Sequence, residues 1–295
     1  MLDLGIFNRE AHVISVKEAS VWTTIWVSLA ILFSLMIYYI YLKGWVANPE
    51  NLKPSNAAVK YITGYLVELS LSMDNIFVIA VIFSSFSIPQ KYQHRVLFWG
   101  ILGAIIFRAL MIFFGVALVN SINWVIYIFG AFLLFTAFKM LKSGQEEEFD
   151  PKNSFVYRNI RKVFPVTGVL DNQYFFVKRK YLTAATPLFI TLIIIEITDV
   201  LFALDSIPAV IGITTDPFLV FSSNILAILG LRSMYFFLAN MLQKFEALKY
   251  SLVVILSFVG IKLLLTHHIK FPEWVSLSVI FVSLLLGVLY SYFKK

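Results

Sequence analysis

The chain contains no cysteine, and charged residues make up only 14% of its 295 positions. The absence of cysteine excludes disulfide bonds and thiolate metal sites. The low charge and the hydrophobic fraction of 60% indicate long apolar stretches that lie in a bilayer rather than in water. The net charge of +7 is not a nucleic-acid signal, because the lysines and arginines follow the loops, where they set membrane topology.

Histidine is also scarce, and none of the four histidines lies in a polar motif, so a zinc or copper site is not expected. No Walker A sequence is present, so we do not expect ATP to be the direct energy source. No nucleophile–base constellation is visible either, and we therefore expect no enzymatic activity and no resident cofactor.

The apolar runs predict an all-α polytopic membrane protein with about eight transmembrane helices. Two of the predicted segments exceed the usual length of ~20 residues, so we expect a tilt or a break in each. The segments cover 20–42, 58–86, 95–118, 122–141, 184–212, 218–240, 248–266 and 273–293.

Most lysines and arginines fall on one side of this arrangement, which predicts a multi-pass protein of the inner membrane with both termini in the cytoplasm. The polar loop at 142–183 lies on the same side and is interpreted as a linker. Within it, residues 155–157 and 174–177 are expected to pair as a small hairpin on the membrane face.

Two acidic segments, about 130 residues apart, interrupt the longest apolar runs. Carboxylates at membrane depth are costly, so they mark a site by default. Their carboxylate, amide and hydroxyl oxygens are hard donors that suit Mg²⁺, Ca²⁺ or Mn²⁺. The residues expected to bind the metal are Glu68, Asp74, Asn75, Asp199, Asp205 and Ser206.

The two halves of the chain align when Glu68 is set on Asp199, which also places Asp74 on Asp205. Each unit has three spans, and an odd number makes the units inverted repeats. The resulting division is an N-terminal segment (1–57), repeat A (58–141), the linker (142–183), repeat B (184–266) and a C-terminal membrane helix (267–295).

Each unit also repeats one arginine and one lysine. Arg108 and Arg232 are expected to pair with a motif carboxylate or to act in gating. Lys139 and Lys262 are candidates for the same roles, but their positions near span ends favour side chains that reach the interface. Glu196 has no acidic counterpart, so it is interpreted as an extra ligand or as the proton-carrying group.

Helix geometry constrains the first motif. Glu68 and Asp74 are six residues apart and point about 120° away from each other on a regular helix. Either the helix breaks between them, or one carboxylate binds the substrate while the other meets an arginine.

The paired motifs, Glu68-Leu-Ser-Leu-Ser-Met-Asp74-Asn-Ile-Phe-Val and Glu196-Ile-Thr-Asp199-Val-Leu-Phe-Ala-Leu-Asp205-Ser-Ile-Pro-Ala, resemble the TerC family of integral membrane proteins. The resemblance covers roughly residues 20–290. It implies kinship with LysE-like transporters, which are built from inverted three-helix repeats. It also implies divalent-metal efflux, because members that include the pH-responsive branch called Alx are implicated in manganese export.

The sequence thus predicts a secondary transporter that exports Mn²⁺ in exchange for protons, with the ion as substrate and the lipid bilayer as its surroundings. The alternative is a membrane scaffold of a metal- or tellurite-stress complex, in which the acids are merely ion-paired. No nucleic-acid partner is expected, and the sequence identifies no protein partner.

Overall fold

The computed structural model describes residues 15–122, 124–142, 157–159, 165–167, 173–179, 182–238, 248–265, 269 and 271–293. Within these residues the chain forms eight long helices. They are α1 (Val16–Lys43), α2 (Pro54–Ser85), α3 (Gln90–Ser121), α4 (Val125–Lys142), α5 (Pro187–Ile211), α6 (Pro217–Leu238), α7 (Leu248–Leu264) and α8 (Glu273–Phe293). Each predicted membrane segment falls on one helix, which confirms the all-α polytopic class.

In the part of the chain that the structure describes, six helices are long and apolar enough to cross a membrane: α1, α3, α4, α5, α6 and α8. Large apolar side chains on the outer faces of α1, α3, α4 and α8 are exposed, as expected for helices that meet lipid. In contrast, 72% of the residues in the most apolar stretch of α6 are buried, so this helix is enclosed by the others. It therefore forms the centre of the bundle.

The two long motif-bearing helices are continuous. A proline at the first turn starts both α2 and α5, where its missing N–H removes no helical hydrogen bond. Pro208 lies only three residues before the end of α5, and the helix continues past it. Of the two alternatives for the first motif, the break is therefore wrong, because α2 runs unbroken between Glu68 and Asp74.

The helices pair across the two halves in a reciprocal way: α2 packs on α6, α3 packs on α5, and α4 packs on α7. Exchanging the three-helix units α2–α4 and α5–α7 reproduces this pattern, as two-fold-related repeats require. The outer helices lie beside this core, since α1 contacts α2 and α6, and α8 contacts α7 and α2.

Two glycines allow α4 and α7 to cross closely. A Cβ atom on Gly130 would lie 2.9 Å from the carbonyl oxygen of Gly260, and a Cβ on Gly260 would lie 3.0 Å from the carbonyl oxygen of Gly130. Both contacts are with backbone, which cannot swing aside. Small residues at a crossing let membrane helices approach in this way.

The short sheet pairs β1 (Phe176–Arg179) with β2 (Leu182–Ala185) in antiparallel register. The prediction of a strand at 174–177 is partly confirmed, because β1 begins at Phe176, and in the described residues its partner is 182–185. Of the predicted partner at 155–157 only Tyr157 is described, and it lies in a helical turn. Residues 155 and 156 lie outside the described residues. The ring of Phe176 packs 4.4 Å from that of Phe189 on α5, which holds the hairpin against the bundle.

At the end of the bundle where α2 and α6 begin, Glu50 joins the α1–α2 loop to its neighbours. One carboxylate oxygen accepts hydrogen bonds from the Thr214 and Thr215 hydroxyls, each 2.9 Å long, and the other accepts a 2.6 Å bond from Lys60. Lys60 also lies 3.4 Å from Glu273 at the start of α8. These contacts connect both halves of the bundle.

We expect Gly260→Ala to lower the free energy of unfolding by about 1–3 kcal/mol, because its methyl group forces α4 and α7 apart. Thermal unfolding of the detergent-purified protein measures this change. Gly230→Ala on α6 is the matched control, since its Cβ would meet the Trp26 side chain at an ordinary 3.4 Å. Equal unfolding temperatures for the two variants would contradict the close crossing.

Glu50 makes stability depend on pH. Burial alone raises the pKa of Glu50, but the hydrogen bond and charge of Lys60, with the hydroxyls of Thr215 and Thr214, outweigh burial and hold the pKa below its ordinary value of 4.5. A lowered pKa stabilises the fold above the unfolded-state pKa, and this contribution disappears as the pH falls through the folded-state pKa. The Glu50–Lys60 ion pair is therefore expected to stabilise the fold at neutral pH and to lose this effect in acid.

The difference in unfolding temperature between wild type and Glu50→Gln should be constant from about pH 7 to about pH 5 and should shrink below about pH 4. Glutamine keeps an acceptor for the two threonines and removes only the charge, so the comparison isolates the ionised carboxylate. A difference that stays constant down to about pH 3 would show that the charge of Glu50 does not stabilise the fold.

Candidate functional site

A buried arginine lies at the contact between the two halves. Arg108 on α3 is 1% exposed, and its guanidinium binds two carboxylates from different helices. Nη1 pairs with Glu68 Oε1 on α2, while Nε and Nη2 donate to the two oxygens of Asp199 on α5, at 3.2 and 2.9 Å. A bidentate contact of this kind fixes the orientation of both groups.

Two neutral side chains complete this cluster. Nη1 of Arg108 also donates to Asn224 Oδ1 at 3.3 Å and to Ser206 Oγ at 3.4 Å. The amide nitrogen of Asn224 donates to Glu68 Oε2 at 2.9 Å, so one asparagine holds both ions. We call these five residues the Arg108 cluster: Glu68, Arg108, Asp199, Ser206 and Asn224. With all three ionisable groups charged, the cluster has one net negative charge.

A cavity of about 30 Å³ lies beside the cluster, between α2, α3, α5 and α6. It has room for on the order of two water molecules. Its polar lining comes from Asn75, Thr198 and Asp199, and apolar side chains form the remainder. The Thr198 hydroxyl donates to the carbonyl of Ile194 at 2.7 Å, which leaves its lone pairs available to a cation. Asp199 therefore faces both Arg108 and the cavity.

The face of α2 that carries Glu68 continues toward the cavity. Glu68, Ser72 and Asn75 follow each other at spacings of four and three residues, which places them on one side of the helix. The Ser72 hydroxyl is fully buried and has no hydrogen-bond partner in the described part of the chain. An unsatisfied hydroxyl at this depth is costly, and along this face of α2 Ser72 lies between Glu68 and Asn75.

Asp205 does not join the Arg108 cluster. It accepts a 3.1 Å hydrogen bond from Thr136 on α4, and the nearby Lys139 is exposed. Asp74 lies in the helical backbone of α2, but its side chain falls outside the described residues. The structure thus brings together Glu68, Asp199 and Ser206 from the predicted ligands and places Asp205 elsewhere.

Glu196 lies one turn before Asp199 on α5, and its carboxylate packs against Gly103 of α3. Its Oε2 is buried and has no hydrogen-bond partner among the described residues. The side chain therefore differs from those of Glu68 and Asp199, whose oxygens are all occupied by donors. The role of Glu196 as an extra ligand or as the proton-carrying group stays a prediction.

The remaining predicted cations are not part of the cluster's hydrogen bonds. Arg232 is buried in α6, at 7% exposure. Lys262 was expected to reach the interface, but its Nζ donates to Ser276 on α8 at 3.1 Å. In this structure Lys262 therefore joins two helices of the bundle.

No group of three histidine, cysteine, aspartate or glutamate residues in the described ranges is close enough to hold one metal ion. The two carboxylates of the Arg108 cluster, Glu68 and Asp199, are joined through the guanidinium of Arg108. The positive charge that these two carboxylates bind in this structure is the guanidinium of Arg108.

Sequence reasoning did not identify Asn224, Ser72 or Thr136. Asn224 is fully buried within the apolar helix α6, and a lone amide in such a helix is a usable signal, because it requires a partner at that depth. Ser72 belongs to the first motif, but serine is common in membrane helices and carries little information by itself. Thr136 gives no sequence signal that separates it from a packing residue.

The fold and the site define a polytopic membrane protein with a charged cluster between two three-helix units. The family model described as "Integral membrane protein TerC family" matches residues 53–295. The chain belongs to the TerC family.

Curated relatives cover most of the chain. A protein of Myxococcus xanthus, "Uncharacterized membrane protein STKORF319", is 48% identical over 95% of this chain and 83% of its own length. A membrane protein of Rickettsia bellii is 43% identical over 100% of this chain and 93% of its own length. The Escherichia coli (strain K12) protein named "Putative membrane-bound redox modulator Alx" is 46% identical over 93% of this chain and 84% of its own length. No solved structure matches the chain.

Proposed function

We propose that this protein is a secondary transporter of the inner membrane that exports a divalent metal ion, with Mn²⁺ as the first candidate. The observation that carries the proposal is the cavity beside Asp199. The carboxylate of Asp199, the amide of Asn75 and the hydroxyl of Thr198 line it, and each of them offers an oxygen atom as a metal ligand. Hard donors of this kind suit Mn²⁺, Mg²⁺ and Ca²⁺. Both termini face the cytoplasm in this proposal.

The location of the cavity supports transport rather than static binding. It lies between α2 and α3 of one unit and α5 and α6 of the other. Transporters built from repeats place their substrate at the repeat interface and move the units against each other around it. Ligands in both units, including Asp74 and Asp205 at equivalent positions, would then meet the ion at different stages of the movement.

Glu196 is the proposed proton carrier. Its unpartnered oxygen is one helical turn from Asp199, so a proton on Glu196 and a metal ion at Asp199 would influence each other through charge. Ionisable residues at membrane depth commonly form such proton relays. Exchange of protons for metal also needs no ATP.

A scaffold function is the alternative. The name of the Escherichia coli relative calls that protein a redox modulator. This chain has no cysteine, so its own side chains cannot carry out thiol–disulfide chemistry. The ion-paired state of Glu68 and Asp199 suits a scaffold equally well, whereas the cavity and the unpartnered Glu196 favour transport.

We expect proteoliposomes that contain only this protein to move Mn²⁺ in the direction opposite to proton flow when a proton gradient is imposed, and Asp199→Asn to reduce the rate by about tenfold or more, because Asp199 is the one carboxylate among the described residues that line the cavity. Asp74→Asn and Asp205→Asn are expected to reduce transport as well. The matched control is Asp216→Asn. Asp216 is a fully buried carboxylate like Glu68, but it caps α6 and accepts a hydrogen bond from Tyr41 outside the site, so its variant is expected to transport normally.

If Asp199→Asn, Asp74→Asn and Asp205→Asn each transport Mn²⁺ at the wild-type rate, the three acids have a structural role and are not metal ligands. Absence of Mn²⁺, Mg²⁺ and Ca²⁺ flux by the correctly inserted wild type would favour the scaffold.

Glu196→Gln is expected to retain most Mn²⁺ binding but to lose the acceleration of transport by a proton gradient, because glutamine cannot carry the proton. Equilibrium binding in detergent and gradient-driven flux in liposomes measure the two properties separately. Equal loss of both would instead assign Glu196 to the metal ligands.

A further inference from the structure

We propose that Arg108 is a tethered cation that occupies the metal site when no metal is bound, and that an entering divalent ion displaces it from Asp199 while Glu68 and Asn224 retain it. This inference rests on the proposed function and specifies how the same site is regulated.

The two carboxylates of the cluster are not equivalent. Asp199 lines the cavity and its side chain is 14% exposed, whereas Glu68 is fully buried and absent from the lining. An ion in the cavity therefore meets Asp199 first. Both oxygens of Asp199 are already bound by the guanidinium. A divalent cation at Asp199 would lie within a few ångströms of this positive charge, and such repulsion is strong in a low-dielectric interior.

The guanidinium has another place to bind when it leaves Asp199. On the side of Nη1 it already contacts Glu68, Asn224 and Ser206, none of which lines the cavity. Asn224 also holds the second oxygen of Glu68, so this group of acceptors is fixed independently of Asp199. The unpartnered hydroxyl of Ser72 lies on the same face of α2 and offers one more acceptor.

Displacement therefore exchanges one cation for another at Asp199 and leaves the Arg108–Glu68 pair intact. Without metal, Arg108 prevents two unneutralised carboxylates from facing each other at membrane depth, which would be strongly unfavourable. Metal affinity is then set by a competition, and it is weaker than the donors alone would give. Weak binding suits a transporter, because the ion must also leave.

The test is calorimetric titration of detergent-purified full-length protein with MnCl₂. Arg108→Gln removes the competitor, and we expect the dissociation constant for Mn²⁺ to fall about tenfold or more, the factor that the loss of a charged hydrogen-bonded contact represents. A purely structural arginine predicts the opposite result, since its loss would disturb the site and weaken binding.

Two further variants separate the effects. Lys60→Gln removes a buried cation from the distant Glu50 ion pair, so it is expected to lower the unfolding temperature without changing Mn²⁺ affinity. The double variant Glu68→Gln/Arg108→Gln removes one charge of each sign and preserves the net charge of the cluster. It leaves Asp199 without a competitor, so it is also expected to bind Mn²⁺ more tightly than wild type, and it provides the test if the single variant does not fold.

Tighter binding by the folded Arg108 variants, with unchanged affinity in Lys60→Gln, would support the displaceable arginine. If wild type binds Mn²⁺ and the variants bind no more tightly, Arg108 is a structural ion-pair partner, and the proposed function is unaffected. If neither wild type nor the variants bind Mn²⁺, Mg²⁺ or Ca²⁺, the metal-transport proposal itself fails.

Discussion

The pairing of Glu68 and Asp199 with Arg108 is the constraint on which the core of this protein depends. An ionised carboxylate inside the membrane is unfavourable by roughly 3 kcal/mol on insertion scales, and this fold places two of them at one helix junction. One guanidinium satisfies both, and it can do so only if α2, α3 and α5 meet at the same depth. The ion pairs therefore fix the relative heights of helices that apolar packing alone would leave free to slide.

The reciprocal helix pairing explains how such a junction arises. Because α2 lies on α6 while α3 lies on α5, the motif helices of both units and the two arginine-bearing helices converge at one centre. The close approach of Gly130 and Gly260 brings the third helices together on the side of this centre. Lipid supplies no hydrophobic force between helices, so small residues and polar contacts must determine the arrangement.

Much of this architecture could be predicted from the sequence, because apolar length and recurring charges are strong signals. The eight segments and the pairing of Arg108 with a motif carboxylate follow from such signals. The choice of carboxylates does not, since it depends on the heights and rotations of three separate helices. The choice between a broken and a continuous α2 stayed open, and the Lys262–Ser276 contact was not predicted, for the same reason: local patterns cannot show which neighbour satisfies a polar group.

The two halves of the bundle differ in the surroundings of their aligned acids, and this difference bears on the proposed transport function. Asp199 and Glu68 occupy equivalent positions in the aligned units, yet Asp199 faces the cavity and Glu68 is sealed behind Arg108. A symmetric pair of units in one conformation would treat the two acids alike. Transporters made of inverted repeats achieve alternating access by letting the units adopt different conformations. Under the transport function proposed above, the unequal exposure of the two acids is the difference expected of one end state.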